Sequence, residues 1–163
     1  MSKIKNKIIL NLILLFSIFS IIAAYFIQYI LGHQPCNLCL IERIPYIFSI
    51  IIILICLLSH KFEKIILITL SFTFFVGTLL SLYHFGIEQG FIKESLVCDL
   101  NNQIKELTKE SLLNQLKEMP VNCKDVTFKI FGLSLATFNI FISLMLSAIT
   151  MKLFLTYEKN ESI

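Results

Sequence analysis

The chain has 163 residues, of which 56% are hydrophobic and only 15% charged, with a mean hydropathy of +0.82 and a net charge of +3. A soluble domain carries about a quarter charged residues, so this balance excludes an ordinary soluble globule and points to a membrane protein. The lysines are scattered, which excludes a nucleic-acid surface. Long apolar stretches recur, unlike the one short apolar region of a cleavable signal.

A spanning helix needs roughly 20 mostly apolar residues to cross about 30 Å of hydrocarbon. Ile8 to Leu31 is the first such run and contains no charge. The stretch "HQPCNLCLIER", residues 33–43, follows with two of the five cysteines and the only arginine. Next, Ile44 to Ser59 is apolar but short, and reaches spanning length only if it begins near Leu38. We therefore place the second span at about residues 40–59, with Glu42 and Arg43 in its interfacial turn. Ile65 to Phe85 is the third run and Ile130 to Met151 the fourth. The expected architecture is an all-α integral membrane protein, a single domain over residues 1–163 built as a four-transmembrane-helix bundle.

Lysine and arginine are retained on the cytoplasmic side of short loops. Lys3, Lys5 and Lys7 precede the first span, Lys61 and Lys64 separate the second and third, and Lys152 and Lys159 follow the fourth. The opposite side receives Arg43 and, in the segment 88–129, six lysines against seven acids. Both termini are thus expected in the cytoplasm, with the cysteine loop and the long loop facing outward together. Between Asp99 and Met119 apolar residues recur at helical spacing with a change of face near Thr108–Ser111, which predicts two short amphipathic helices. Such a segment can rest on the membrane interface or pack on the helix ends.

In a helix beginning after Pro35, Cys36, Cys39 and Arg43 fall within an arc of roughly 60°. The partial charge at a helix start and a nearby guanidinium both favour a thiolate. Pro45, inside one continuous helix, would remove a hydrogen bond and kink the chain. A Cys-x-x-Cys pair by itself fits a redox dithiol or half of a zinc site, for which Cys98, Cys123, His33 and His84 are nominal partners. Cys98 and Cys123 are too far apart in sequence for a second close pair, and fit a disulfide closing the outward loop, either as a static staple or as a partner in exchange with the first pair. Cys56, within the second span, reads as a small buried hydrophobe.

Two dithiols cannot accept electrons indefinitely, and a membrane offers lipid-soluble quinones as acceptors. Arg43 and His84, at the outer ends of the second and third spans, could bind a quinone carbonyl or stabilise charge during its reduction. For Arg43 the alternative is interfacial snorkelling or pairing with Glu42. For His84 it is anchoring at the interface beside Tyr83. The competing function classes are a membrane metal-binding protein using the same cysteines and a non-catalytic scaffold with a stapled loop.

The segments "CNLCLIER", "LYHFGIEQG", "VCDL", "PVNC" and "FGLSLATFN", in this order on four spans, resemble the bacterial DsbB disulfide-bond formation proteins over nearly the whole chain. The resemblance implies an inner-membrane, quinone-dependent thiol–disulfide oxidoreductase. A reduced DsbA-like, thioredoxin-fold periplasmic partner would attack a Cys98–Cys123 disulfide at Cys98. Cys123 would then attack Cys36, leaving Cys39 to face ubiquinone or menaquinone. It further implies that Arg43, and less closely His84, contact the quinone.

Overall fold

The computed structural model describes residues 2–58, 63–93, 123–124, 129–130 and 132–161. Its elements are α1 (Ser2–Tyr29), α2 (Asn37–Ile41), α3 (Ile44–Leu58), α4 (Glu63–Glu88), β1 (Lys129–Ile130), β2 (Leu133–Ser134) and α5 (Leu135–Glu161). Among the described residues, four stretches are long and apolar enough to cross a membrane: Lys7–Tyr29, Asn37–Leu58, Lys64–Glu88 and Leu135–Lys159. The expected helical membrane bundle is therefore present. The segment 94–122, with its expected amphipathic helices and Cys98, lies outside the described residues.

Apolar side chains face outward, as hydrocarbon solvent allows, with Phe19, Phe72 and Met145 among the most exposed. The buried seams are lined instead by small polar residues. Ser17, Ser49, Ser81, Ser143 and Thr150 are fully enclosed. Small side chains let helices approach closely, and their hydroxyls find partners within the bundle. The Ser71 hydroxyl donates to the Ser147 carbonyl at 3.2 Å, and the Ser147 hydroxyl returns a bond to the Ser71 carbonyl at 3.1 Å, so α4 and α5 are buttoned together. Ser49 donates to Ser17 at 3.2 Å and ties α3 to α1. Leu70, Phe74 and Ile53 fill the apolar core between these contacts.

The second span is two helices rather than one kinked helix. α2 ends at Ile41, Glu42 and Arg43 form a turn, and α3 starts at Ile44. Pro45 falls in the first turn of α3, where its missing N–H costs nothing, so the break precedes the proline. Its ring packs on Gly77, where an added Cβ would lie 3.4 Å from Pro45. The helix of the fourth span, α5, starts at Leu135 instead of Ile130, because Lys129–Ile130 pairs antiparallel with Leu133–Ser134, with Gly132 at φ +81°. The "FGLSLATFN" stretch therefore straddles a turn and a helix start.

Candidate active site

At one end of the bundle the short helix α2, the end of α4 and Cys123 converge on Cys36. Cys36 caps α2: its Sγ accepts the Cys39 backbone N–H at 3.3 Å and lies 2.7 Å from Cys39 Sγ. A cap position ordinarily holds an oxygen acceptor, and a thiolate serves the same purpose. The hydrogen bond from Cys39 is the largest influence on the Cys36 thiol and pulls its pKa down to about 4. Burial opposes this, and the neighbouring His84 assists.

His84 comes from the last turns of α4 and is 2% exposed. Its Nε2 lies 3.5 Å from Cys36 Sγ and its Nδ1 lies 2.8 Å from Glu42 Oε1. Glu42 occupies the turn between α2 and α3, so the helix break is what aims its carboxylate at α4. The other Glu42 oxygen accepts from Asn139 Nδ2 of α5 at 3.0 Å. Asn139 Nδ2 also reaches Ser81 at 2.7 Å, and its carbonyl oxygen accepts from the Tyr46 hydroxyl. Every oxygen of a buried carboxylate thus has a partner, the condition for placing one here at all. Glu88, one turn beyond His84, approaches its Nε2 at 3.7 Å through Oε1.

Arg43 turns the other way from Glu42. Its Nη1 donates to Gln28 of α1 at 2.8 Å, and its guanidinium sits 5.1 Å above the Tyr25 ring. The expected alternative of a Glu42–Arg43 pair is not what the side chains do. His84 is likewise no interfacial anchor, since it is enclosed. A cavity of about 420 Å³ gathers the predicted residues: Cys36, Cys39, Arg43, His84 and Cys123 all line it. Its apolar wall comes from α1 and α5, including Phe16, Ala23 and Phe138.

Cys123 is buried against Cys36, Leu38 and Ile87 and is half of a disulfide. Cys98 lies outside the described residues, and Cys56 is buried within α3, away from this cluster. The sequence reading missed Glu42, Asn139 and Tyr46 as a joined unit. The available signal was an acidic residue and an asparagine in otherwise apolar spans, where polar side chains are costly unless paired. The thiols, His84 and Cys123 together can relay electrons by thiol–disulfide exchange beside a polar-tipped apolar pocket.

Residues 6–153 match the family model described as disulfide bond formation protein DsbB. An uncharacterized protein of Rickettsia prowazekii (strain Madrid E) is 32% identical over 155 residues, covering 93% of this chain and 90% of the relative. No solved structure matches. The chain belongs to the DsbB family. It is accordingly a multi-pass membrane protein of a family that implies thiol–disulfide oxidoreductase chemistry.

Proposed function

We propose, from that family membership, that the protein reoxidises a periplasmic DsbA-like thiol oxidase and delivers the electrons to ubiquinone or menaquinone in the inner membrane. The chain acts as one domain over residues 1–163, with both termini in the cytoplasm and the cysteines at the periplasmic face. The observation that carries this reading is the shared cavity. Cys36 and Cys39, the disulfide-bonded Cys123, Arg43 and His84 meet around one largely apolar pocket.

The relay conserves electrons at each step. The partner's thiolate attacks Cys98 of the Cys98–Cys123 disulfide, and the partner's second thiol resolves the mixed disulfide. Partner dithiol becomes disulfide as Cys98 and Cys123 become thiols. Cys123 attacks Cys36, breaking the Cys36–Cys39 bond, and Cys98 then displaces Cys36 to restore its own pair. The low pKa of Cys36 makes it a good leaving group in the second displacement, when Cys98 expels it from the Cys36–Cys123 bond. His84, against Cys36 Sγ, stabilises the sulfur charge that develops.

Cys39 and Cys36 must then lose two electrons and close their bond. A cavity of about 420 Å³ with apolar walls and an arginine, a glutamine and a histidine at its rim fits a quinone head group. A quinone held there would supply the two-electron acceptor, with one proton available from the Cys39 thiol and the second from solvent. Arg43, fixed by Gln28 and Tyr25, orients the acceptor's carbonyl and offsets negative charge; His84, fixed by Glu42, keeps Cys36 in line. The test is quinone reduction by a reduced periplasmic dithiol protein, repeated with Cys39→Ser and Cys98→Ser. Turnover is expected to vanish in both, and unchanged turnover in both variants would sink the mechanism.

A further inference from the structure

We propose that the reduced site binds a zinc ion through Cys36, Cys39, His84 and Glu88, and that this ion holds the enzyme out of turnover. The inference rests on the cycling of Cys36 and Cys39 proposed above, and not on the identity of the electron acceptor.

The ligand atoms of Cys36, Cys39 and His84 all lie within 4.8 Å of one another. Tetrahedral zinc, with bonds of roughly 2.0–2.3 Å, holds its ligand atoms about 3.3–3.8 Å apart. Cys36 Sγ to His84 Nε2 is 3.5 Å and His84 Nε2 to Glu88 Oε1 is 3.7 Å, so two edges of that tetrahedron are already drawn. The two sulfurs, at 2.7 Å, need to open by about 1 Å.

Two further observations point the same way. Glu88 has a side chain only 6% exposed, and its Oε2 is buried with no hydrogen-bond partner among the described residues. A buried carboxylate oxygen left over beside two thiols and an imidazole is a ligand atom in search of a cation. His84, meanwhile, is oriented for ligation. With Glu42 Oε1 accepting from Nδ1 at 2.8 Å, Nε2 can present its lone pair, the carboxylate–histidine arrangement that accompanies zinc. Asn139 holds Glu42 in turn.

The site is gated by redox state. In the disulfide the two sulfurs share one bond and offer no thiolate, so only the reduced protein provides the full donor set. Binding then releases the thiol proton of Cys39, Cys36 being already a thiolate, and transfers no electrons. A bound ion occupies the same sulfur lone pairs that turnover requires.

The test uses the full chain in detergent micelles, reduced with a phosphine that is then removed. Cobalt(II) serves as the probe. We expect one equivalent, with thiolate-to-cobalt charge-transfer and tetrahedral ligand-field bands, displaced by one equivalent of zinc. The bands should be missing from the same protein oxidised beforehand, retained in Cys98→Ser and lost in Cys39→Ser. Zinc affinity should fall by about ten-fold or more in Glu88→Gln and by about 10–100-fold in Glu42→Gln. Absence of the bands in reduced protein, or their persistence after oxidation or in Cys39→Ser, overturns the proposal. Thiol oxidation in metal-free buffer is measured in parallel and should stop with one equivalent of zinc and recover with chelator. Turnover that zinc leaves untouched overturns the brake, whereas metal binding without any turnover overturns the functional reading alone.

Discussion

Reduction of the Cys36–Cys39 disulfide is expected to consume two electrons but only one proton across the neutral range. Cys36 lies just ahead of the second span, where the Cys39 thiol and backbone N–H both point at its sulfur, at 2.7 and 3.3 Å, and its pKa sits near 4 against an ordinary 9.0. An ordinary dithiol takes up two protons with its two electrons, so its potential falls by about 59 mV per pH unit; with Cys36 ionised throughout, the slope halves to about 30 mV. The sign is fixed by the direction of the shift. A depressed pKa favours the reduced form at every pH above about 4, increasingly so up to the ordinary thiol value, so the potential is raised. At pH 7 the gain is on the order of 4 kcal/mol, or roughly 90 mV. Equilibration with glutathione buffers between pH 5.5 and 8, with the pair quenched by alkylation and read by peptide mass, measures both quantities. A slope of about 59 mV per pH unit would show that Cys36 is protonated in the reduced protein and would refute the assignment of Cys36 as the leaving thiolate.

Arg43→Ala removes a charged hydrogen bond to Gln28 and should raise the quinone concentration for half-maximal rate by about ten-fold or more. Exchange between the two cysteine pairs should be unaffected, and equal quinone dependence in both proteins removes Arg43 from the pocket. Asn139→Leu strips partners from Glu42, Ser81 and Tyr46 at once and should destabilise the bundle by about 2–3 kcal/mol. An unchanged thermal midpoint in micelles would contradict the network. Ser71→Leu wedges the α4–α5 seam and should cost about 1–3 kcal/mol. Cys36 alkylation at neutral pH should not change, since the seam lies toward the opposite end from the cysteines.

The four spans were legible because hydrocarbon imposes length and apolarity on any helix that crosses it. The cysteine motif was legible because its spacing is local. What joined Glu42 to His84 and Asn139 was not, since these residues lie 42 and 97 positions apart and meet only when α4 and α5 pack together. The turn at Glu42–Arg43 is expected from span length, but the kink expected at Pro45 is absent, because the proline falls in the first turn of α3. In the structure the turn at Glu42–Arg43 sends those two side chains to opposite walls, and Pro45 merely begins the next helix. Ser17, Ser49 and Ser143 read in sequence as weak interruptions of greasy runs, yet they mark the inward faces. The hairpin at Lys129–Ser134 was hidden within an apolar run that continues smoothly into α5.

Phe16, Phe19 and Leu135 line the cavity and are also exposed on the outer surface of the bundle. A quinone held there, as proposed, would reach the pocket past these exposed apolar side chains, by lateral diffusion in the plane of the bilayer. The dose that governs saturation is then mole fraction in lipid, not molarity in buffer. Swelling the vesicles with inert phospholipid at fixed total acceptor should slow the reaction as surely as removing acceptor does.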